Sequence, residues 1–399
     1  MDCPHVAGVV GKQLKIVLFA NTDWYLYNFR LSLALALRDA GYELLLISPP
    51  GPYGEKLRNQ GLHWESLPME RRSLNPVREL HLLAYLWRLF RRERPDLVHG
   101  FTIKAAIYGA LAARLAGVRA RVNAVAGMGY VFISDDLKAR LLRPFVRLLM
   151  RVALDGKKAR LILQNKDDVA LFIAARIVDS SRIRLIRGSG VNCDRFKPRE
   201  SVKNQARPLR VLLASRLLWD KGLAEYAEAA RLLRKEGRAI QFLLAGDPDL
   251  GNPASVPEEN IREWETEGLM EWLGHIDDMP GLLADVDAMV LPSYREGLPK
   301  SLIEGAASGL PLIAADVPGC REVITDGVDG LLVPVRDAAA LAAAICRLDD
   351  DPELARRLGL DAREKALAKF DEQIVIQENI AVYAELLPMQ RPDSGRINA

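Results

Sequence analysis

The sequence contains few cysteines and no long apolar run, and each absence excludes a class of protein. Its four cysteines, Cys3, Cys193, Cys320 and Cys346, lie far apart without a CxxC spacing. This argues against a disulfide framework or a zinc site and fits a reducing cytosol. No apolar run approaches the roughly 18 residues of a membrane-spanning helix. The first 13 residues lack a signal-peptide pattern, and we expect a short leader there.

The charge is divided unevenly along a chain of otherwise ordinary composition. Of the 399 residues, 49% are hydrophobic and 27% charged, as in a globular enzyme long enough for two domains. Residues 1–203 contain 34 basic and 18 acidic residues, a net charge of +16, whereas the remainder carries −13. These opposed halves predict two domains with different partners. The basic half suits nucleic acid, anionic lipid headgroups or a diphosphate.

Short apolar runs alternate with helical segments in both halves, the pattern of repeated βα units in a parallel sheet. In the first half the predicted strands are residues 14–19, 43–48, 97–99, 120–125 and 161–163. In the second half they are residues 210–214, 241–245, 288–291, 312–314 and 331–333. We predict a Rossmann-like first domain over residues 1–203, a second over 204–372, and a helix over 373–390 that returns to the first domain. A helix is also predicted over residues 29–40.

Two glutamates, Glu296 and Glu304, lie eight positions apart across a turn that contains Gly297 and Pro299. A predicted strand precedes them, and a helix that ends near Gly309 and another strand follow. Ligands of doubly wound sheets bind at the carboxyl ends of strands, where helix N-termini point. We therefore expect both glutamates to flank a pocket. The alternative is a pair of glutamates on an exposed helix surface.

The same stretch predicts how a nucleotide would be held. Backbone amides at a helix N-terminus favour phosphate, and Glu304, one turn into the helix, is suited to a ribose diol. Glu296, which lies before the turn, is suited to sugar hydroxyls. The residues expected to line the phosphate site, whose backbone N–H groups other than that missing from proline point to it, are Leu298, Pro299, Lys300, Ser301 and Leu302.

Two further segments are expected to converge on this site. Arg216 and Lys221 follow a strand five positions apart, a spacing suited to gripping a diphosphate, although a solvated loop is the alternative. Gly246 follows the predicted strand 241–245, His275 lies further along the chain, and both are expected to line the donor site. Asp247 and Asp249, like Asp285 and Asp287, have the spacing of a metal-binding pair but no third ligand nearby. We expect turn and cap residues there, and no metal or other cofactor.

Three segments, SRLLWDKG from residue 215, the long run from Gly274 to Ile324, and DGVDGLLVP from residue 326, resemble the retaining glycosyltransferases of family 4. The resemblance implies the GT-B fold, in which two Rossmann-like α/β domains face each other across a cleft and a C-terminal helix crosses over. It also implies residue roles: Arg216 and Lys221 hold the diphosphate of a nucleotide sugar, Glu304 binds the ribose, and Glu296 contacts the donor sugar.

The first half is similar, through residues 101–104, 127–132, 164–168 and 188–192, to the bacterial subgroup that extends lipid-linked saccharides. This similarity implies transfer of a hexose or N-acetylhexosamine, with a UDP-sugar favoured, to a polyprenyl-diphosphate-linked sugar. One departure is notable. Many relatives have a Gly-Gly loop after the first strand, where this chain has residues Asn21 to Tyr25, so contacts of that loop do not carry over.

The acceptor is expected on the first domain's side of the cleft. His99, at the carboxyl end of the predicted strand 97–99, is a candidate, with a core histidine as the alternative. Lys104 and Arg30 are candidates for binding the acceptor diphosphate.

Two basic amphipathic segments, residues 82–94 and 136–154, predict contact of the first domain with an anionic membrane. Either segment could instead be a core-facing helix with a solvated basic face. In the second segment four arginines recur at helical spacing: Arg140, Arg143, Arg147 and Arg151. We expect a cytoplasmic protein, peripheral on the inner face of the cell membrane, that does not bind nucleic acid.

The resemblance implies retention of anomeric configuration. Since no carboxylate is placed as a nucleophile, we expect the acceptor hydroxyl to attack from the face of the leaving group, with electrostatic stabilisation of the departing diphosphate.

Two rival functions stay open. One is a nucleotide-sugar 2-epimerase, which shares the architecture. The other is a basic lipid- or nucleic-acid-binding adaptor on a degenerate scaffold.

Overall fold

The chain consists of two units of contacting residues. The computed structural model describes residues 13–70, 73, 75–125, 137–198, 207–249 and 251–387. The first unit comprises residues 1–163, 171–184 and 378–399, and the second comprises residues 164–170 and 185–377. Residues 185–203, placed in the first domain by the sequence, therefore group with the second unit. The helix Glu372–Ala384 begins in the second unit and ends in the first.

The first unit contains a seven-stranded sheet in the order β3-β2-β1-β4-β5-β6-β7. The pairs from β3 to β6 are parallel, so the strands require helical crossovers. The strands are β1 Lys15–Phe19, β2 Glu43–Ser48, β3 Trp64–Ser66, β4 Leu97–Phe101, β5 Ala120–Val125, β6 Ala159–Leu163 and β7 Ile183–Leu185.

The helix after β1 begins at Asp23, not near the predicted residue 29. Its N-cap is Thr22, whose side-chain hydroxyl accepts a hydrogen bond from the backbone N–H of Tyr25 at 3.1 Å. A Thr at this position satisfies one of the N–H groups that a helix start leaves unpaired. The α-helices in the described part of the first half are Asp23–Asp39, Gly54–Asn59, Pro76–Glu93, Ile103–Ala116, Leu137–Leu154 and Lys166–Ala174.

The second unit contains a six-stranded parallel sheet in the order β10-β9-β8-β11-β12-β13. The strands are β8 Leu209–Ala214, β9 Ile240–Ala245, β10 Glu271–Gly274, β11 Ala288–Leu291, β12 Leu312–Ala315 and β13 Leu331–Val333. Its α-helices over the described residues 207–249 and 251–377 are Leu223–Lys235, Glu258–Thr266, Met279–Asp285, Lys300–Ala307, Pro318–Val323, Ala338–Asp350, Pro352–Lys369 and the start of Glu372–Ala384.

Helices cover both faces of the second sheet. Alternate residues of β8 enter two different cores: Val211 and Leu213 pack with Leu223 of the following helix, whereas Leu212 and Ala214 pack with the helix Lys300–Ala307 on the other face. Strands buried on both faces are typical of parallel sheets in α/β proteins. The predicted doubly wound Rossmann-like architecture is confirmed in both units.

Three short strands, β3, β7 and β10, were not predicted. Extension of β4 to Phe101 places His99 in the middle of the strand rather than at its end. The predicted segment 82–94 is part of the helix Pro76–Glu93, and its residues Leu82, Leu86 and Phe90 are buried in the core. These buried residues match the core-facing alternative, whereas Trp87 of the same segment is 40% exposed, so contact of this helix with a membrane stays a prediction. Residues 127–132 and Asp136 lie outside the described residues.

Within the described ranges, no helix combines the length and the apolar character that crossing a membrane requires.

Candidate active site

Two of the predicted donor residues, Lys221 and Glu296, meet where the strand order of the second sheet reverses. Strands β8 and β11 are neighbours, yet the helices that follow them pack on opposite faces of the sheet. Such a switch point leaves a crevice at the carboxyl ends of the two strands, the usual ligand position in open α/β sheets. The loop after β8 contains Arg216 and Lys221, and the loop after β11 contains Glu296.

Backbone contacts hold these two loops together. The N–H of Tyr294 donates to the carbonyl of Asp220 at 2.9 Å. Gly222 has φ +75°, and a Cβ there would overlap the carbonyl oxygen of Pro292. Only glycine adopts this conformation readily and allows so close an approach. The path of the first loop is therefore tied to the start of the second.

The two loops bring together a lysine and a glutamate 75 positions apart in the sequence. Nζ of Lys221 lies 2.5 Å from Oε1 of Glu296, and the side chains are only 18% and 10% exposed. A charge-assisted hydrogen bond of this kind is stronger than a neutral one. The pair fixes a cation and an anion side by side at the switch point.

Glu304 lies in the first turns of the helix Lys300–Ala307, and its side chain is 14% exposed. Burial raises the pKa of this carboxyl group, while the charges of Lys300 and Arg195 oppose the shift. Its Oε1 is 3.7 Å from Nζ of Lys300. The first backbone amides of a helix have no acceptor within the helix, so the amides of Ser301 and Leu302 are suited to an anion.

Arg216 is separate from the Lys221–Glu296 pair. Its Nη1 lies 2.9 Å from Oδ2 of Asp249, and its side chain is 51% exposed. The contact arises because Leu217 bridges to Pro248, which joins the loops after β8 and β9. The Asp-x-Asp segment therefore supplies an ion-pair partner for Arg216. An exposed pair of this kind contributes only about 0–1 kcal/mol, so the guanidinium can exchange its partner at little cost.

Gly246 and His275 lie at the carboxyl ends of β9 and β10. Gly246, with φ +129°, packs so closely that a Cβ would overlap the carbonyl oxygen of Ser215. Its N–H donates to Gly274 at 2.7 Å, and its carbonyl accepts from the indole of Trp272 at 2.8 Å. Gly246 thus allows close loop packing. The imidazole of His275 is exposed and 3.5 Å from Asp277.

A segment from the first half of the chain supports the loop of Glu296, and the sequence did not single out its function. Nδ2 of Asn165 donates to the carbonyl of Gly297 at 2.8 Å and to Oδ2 of Asp168 at 2.9 Å. Burial raises the pKa of Asp168, against the opposing effects of Asn165 and of Arg295. Gly319 packs against the same loop, since a Cβ there would lie 2.6 Å from the carbonyl oxygen of Glu296.

His99 lies in the core of the first unit. It is completely buried, and its Nδ1 is 2.6 Å from the hydroxyl of Tyr383. Burial and the charge of Arg30 hold its pKa well below the usual range, so the ring is neutral. This geometry is that of the core-histidine alternative, because the ring has no exposed surface with which to touch an acceptor.

Lys104 and Arg30 are likewise engaged within the first unit. The ammonium group of Lys104 donates to the carbonyls of Glu70 and Ser73 and to Oε1 of Glu79, at 2.7, 3.0 and 2.7 Å. These contacts use all three of its donors. Arg30 is buried, donates to the hydroxyl of Tyr25 at 3.1 Å, and lies 4.4 Å from the ring centre of Phe101.

The switch point of the first sheet, between β1 and β4, contains a strained residue. Thr102, at the end of β4, has φ +69°, which is unusual for a β-branched side chain. Its buried Oγ1 has no hydrogen-bond partner among the described residues. Backbone strain of this kind clusters at functional sites. No pattern in the sequence predicted the strained conformation of Thr102.

Two known protein-family models match this chain, one over each half of the sequence. The model described as glycosyl transferases group 1 matches residues 208–351, and the glycosyl transferase 4-like model matches residues 15–166. The chain is 30% identical over 385 residues, covering 94% of the chain and 99% of the relative, to the N,N'-diacetylbacillosaminyl-diphospho-undecaprenol alpha-1,3-N-acetylgalactosaminyltransferase of Campylobacter jejuni. This chain belongs to the group 1, family-4-like glycosyltransferases.

A second bacterial relative of this glycosyltransferase is the UDP-Gal:alpha-D-GlcNAc-diphosphoundecaprenol alpha-1,3-galactosyltransferase of Escherichia coli. The two are 28% identical over 293 residues, which cover 71% of this chain and 74% of the relative.

Solved structures show the same GT-B fold. A glycosyltransferase from Rickettsia africae superimposes with a TM-score of 0.77 at 19% identity, covering 95% of this glycosyltransferase and all of that chain. HepE from Anabaena, solved in complex with UDP, gives a TM-score of 0.75 at 21% identity over 94% of this chain and all of that one.

Proposed function

We propose that the protein transfers a hexose or N-acetylhexosamine from a UDP-sugar to a polyprenyl-diphosphate-linked saccharide, with retention of anomeric configuration. The observation that carries the proposal is the Lys221–Glu296 pair at the switch point of the second sheet. It joins a cation suited to the donor diphosphate with a carboxylate suited to the hydroxyls of the sugar.

The donor lies along the carboxyl ends of β8 and β11. Its diphosphate meets the ammonium group of Lys221, the N-terminal amides of the helix Lys300–Ala307, and Arg216, which exchanges Asp249 for a phosphate oxygen. Glu304 accepts hydrogen bonds from the ribose diol, and Glu296 from the transferred sugar. We propose that these protein groups suffice without a metal ion or cofactor.

In the reaction, the bond between the anomeric carbon and the UDP oxygen breaks as the acceptor hydroxyl forms the new bond on the same face. The proton of that hydroxyl passes to the departing phosphate oxygen. Lys221, Arg216 and the helix amides stabilise the negative charge that grows on the diphosphate, a preorganised electrostatic effect. The name of the E. coli relative, which gives a UDP-sugar donor and an α-1,3 linkage, supports this choice of donor.

The names of both relatives include undecaprenol-linked diphosphate acceptors, which supports the same acceptor class here. We propose that the acceptor saccharide binds at the carboxyl edge of the first sheet, near the strained Thr102.

A lipid-linked acceptor requires access to a membrane. We propose peripheral association of the first unit with the anionic inner face of the cell membrane, on the cytoplasmic side and without binding of nucleic acid. The net charge of +16 over residues 1–203 supports this, because cationic surfaces are attracted to anionic leaflets. Flotation with anionic vesicles tests it, and a protein that stays unbound at low salt would contradict it.

The decisive assay offers the protein, in detergent, a panel of UDP- and GDP-sugars and a polyprenyl-diphosphate-linked N-acetylhexosamine. We expect transfer from one UDP-sugar and an α-anomeric product by NMR. A changed nucleotide sugar formed without acceptor would instead identify an epimerase. No turnover with any donor would support the adaptor.

A further inference from the structure

A basic depression lies at the amino edge of the first sheet, away from the carboxyl edge where ligands of such sheets bind. It has a volume of about 650 Å³ and is formed where β5 and β6 begin and where two helices end. Six cations line it, and these residues define the basic depression: Arg114, Arg119, Arg121, Arg151, Lys157 and Lys158.

In the part of the chain that the structure describes, these cations lack anionic partners. Among the described residues, none of the six forms an ion pair, although Arg114 donates to the carbonyl of Val152 at 3.0 Å. The one acid that lines the depression, Asp155, is paired with Arg182 and accepts from the N–H of Gly156. Six positive charges around one concave surface repel each other and attract an anion.

Among these cations, Arg121 has the most poorly satisfied guanidinium group. Its Nε is buried without a hydrogen-bond partner among the described residues, and its Nη2 reaches only the carbonyl of Asp155, at 3.5 Å. Burial, together with the like charge of Arg114, lowers the pKa of Arg121. A half-buried guanidinium with one long hydrogen bond is costly, and a bound phosphate oxygen would relieve that cost.

The wall of the depression is apolar where the helix Leu137–Leu154 forms it. Leu148 and Val152 line it one helical turn apart and are 59% and 45% exposed, and Leu115 beside Arg114 is exposed as well. Apolar side chains next to a cluster of cations suit the boundary between lipid headgroups and acyl chains. A free phosphate ion would make no use of them.

We propose that the basic depression binds the phosphate groups of anionic phospholipids and so holds the first unit on the membrane surface. The proposal rests on the proposed peripheral association and assigns it a site. It gives that role to the end of the helix Leu137–Leu154, where the cations of the depression lie beside the exposed Leu148 and Val152.

The test compares binding of the full chain to phosphatidylcholine vesicles with and without phosphatidylglycerol. The variant Arg119→Gln/Lys157→Gln/Lys158→Gln changes three exposed side chains, so the fold is expected to persist. The matched control Lys235→Gln/Arg347→Gln/Lys369→Gln removes the same charge from exposed positions of the second unit. We expect the first variant to lose about fivefold in affinity per cation, and the control to bind as the wild type does.

Equal loss in both variants would overturn the site, since net charge alone would then explain binding. Wild-type binding by the depression variant would also overturn it. In a separate arm, inorganic phosphate or pyrophosphate is added to the protein without lipid. A thermal shift seen in the wild type but not in the depression variant, with unchanged vesicle binding, would reassign the site to free phosphate.

Sugar transfer in detergent separates this proposal from the proposed function. The depression variant is expected to retain wild-type transfer there, because its substitutions lie away from the donor residues. Loss of vesicle binding with intact transfer supports the docking site. Absence of transfer in the wild type would refute the proposed function and leave the vesicle result to decide the docking site independently.

Discussion

Nζ of Lys221 and Oε1 of Glu296 are 2.5 Å apart, although the residues follow different strands of the second sheet. The contact exists because β8 and β11 are neighbours and their loops are cross-linked by Tyr294 and Asp220. Removing one member of a mostly buried ion pair leaves the other charge uncompensated. The pair therefore affects stability as well as donor binding.

A double-mutant cycle measures that coupling. We expect Lys221→Ala and Glu296→Ala each to lower the free energy of unfolding by about 1–3 kcal/mol, and the double variant to lose clearly less than the sum. Denaturant titration provides the values. Additive losses would mean that the two side chains do not interact in the folded protein.

Glu304 predicts a pH dependence of nucleotide binding. Its carboxyl group is neutral up to a higher pH than an ordinary glutamate, whose pKa is about 4.3, because burial raises its pKa. A neutral carboxyl accepts weaker hydrogen bonds from a ribose diol, so UDP affinity should fall as the pH drops through this raised pKa. Calorimetric titration of UDP against pH shows the step, and Glu304→Gln should remove it and bind UDP weakly throughout.

The same shift predicts the stability of the unliganded protein. A raised pKa means that the contribution of Glu304 to stability is complete below the unfolded-state pKa and is lost as the pH rises through the folded-state pKa. At neutral pH the ionised carboxylate is therefore a net cost. We expect Glu304→Gln to raise the melting temperature at pH 7 while weakening UDP binding. A lower melting temperature would contradict this.

Gly222 provides a test of the loop geometry. Gly222 and Gly237 both have φ above +70°, but a Cβ on Gly222 would overlap the carbonyl oxygen of Pro292, whereas one on Gly237 would meet nothing within 4 Å. We expect Gly237→Ala to cost about 1 kcal/mol from the backbone conformation alone. Gly222→Ala should cost more and also lower transfer activity, because it displaces the loops of Lys221 and Glu296. Equal effects would show that the close approach is unimportant.

Asn165 should act on the reaction by positioning the loop that contains Glu296. Asn165→Ala removes the hydrogen bond to Gly297 together with those to Asp168, and loss of each such bond costs about 1–2 kcal/mol. We expect kcat/KM for the donor to fall about tenfold while circular dichroism is unchanged. The neighbouring exposed Asp167→Ala is the control. If both variants have the same kcat/KM, the hydrogen bond has no part in positioning the loop.

Much of the fold follows from the sequence because parallel strands are apolar along their whole length. The predicted strands 43–48, 120–125, 288–291 and 331–333 agree with the structure at both ends. The donor segments were recognisable for a related reason. Glycine and proline in the turn around Glu296 indicate a loop between a strand and a helix. In such a loop a glutamate can face a ligand site, whereas a glutamate on an exposed helix faces solvent.

The contacts of individual side chains could not be predicted, because they depend on the order of the strands in the sheet, which no local sequence pattern contains. Lys221 meets Glu296 because of the strand order, and Arg216 meets Asp249 because two loops form a bridge. His99 was expected at a strand end because the predicted strand covered only residues 97–99. In the structure Gly100 and Phe101 continue the strand, so His99 lies in its buried middle. The strain at Thr102 is a backbone property that the residue type does not reveal.

The central claim is that Lys221 and Glu296 form the core of a sugar-donor site. The most direct measurement is the initial rate of transfer from the accepted UDP-sugar to the lipid-linked acceptor by Lys221→Ala and Glu296→Ala, with folding checked by circular dichroism. We predict that either substitution nearly abolishes transfer while the fold remains intact. Near-wild-type turnover by either folded variant would contradict the assignment.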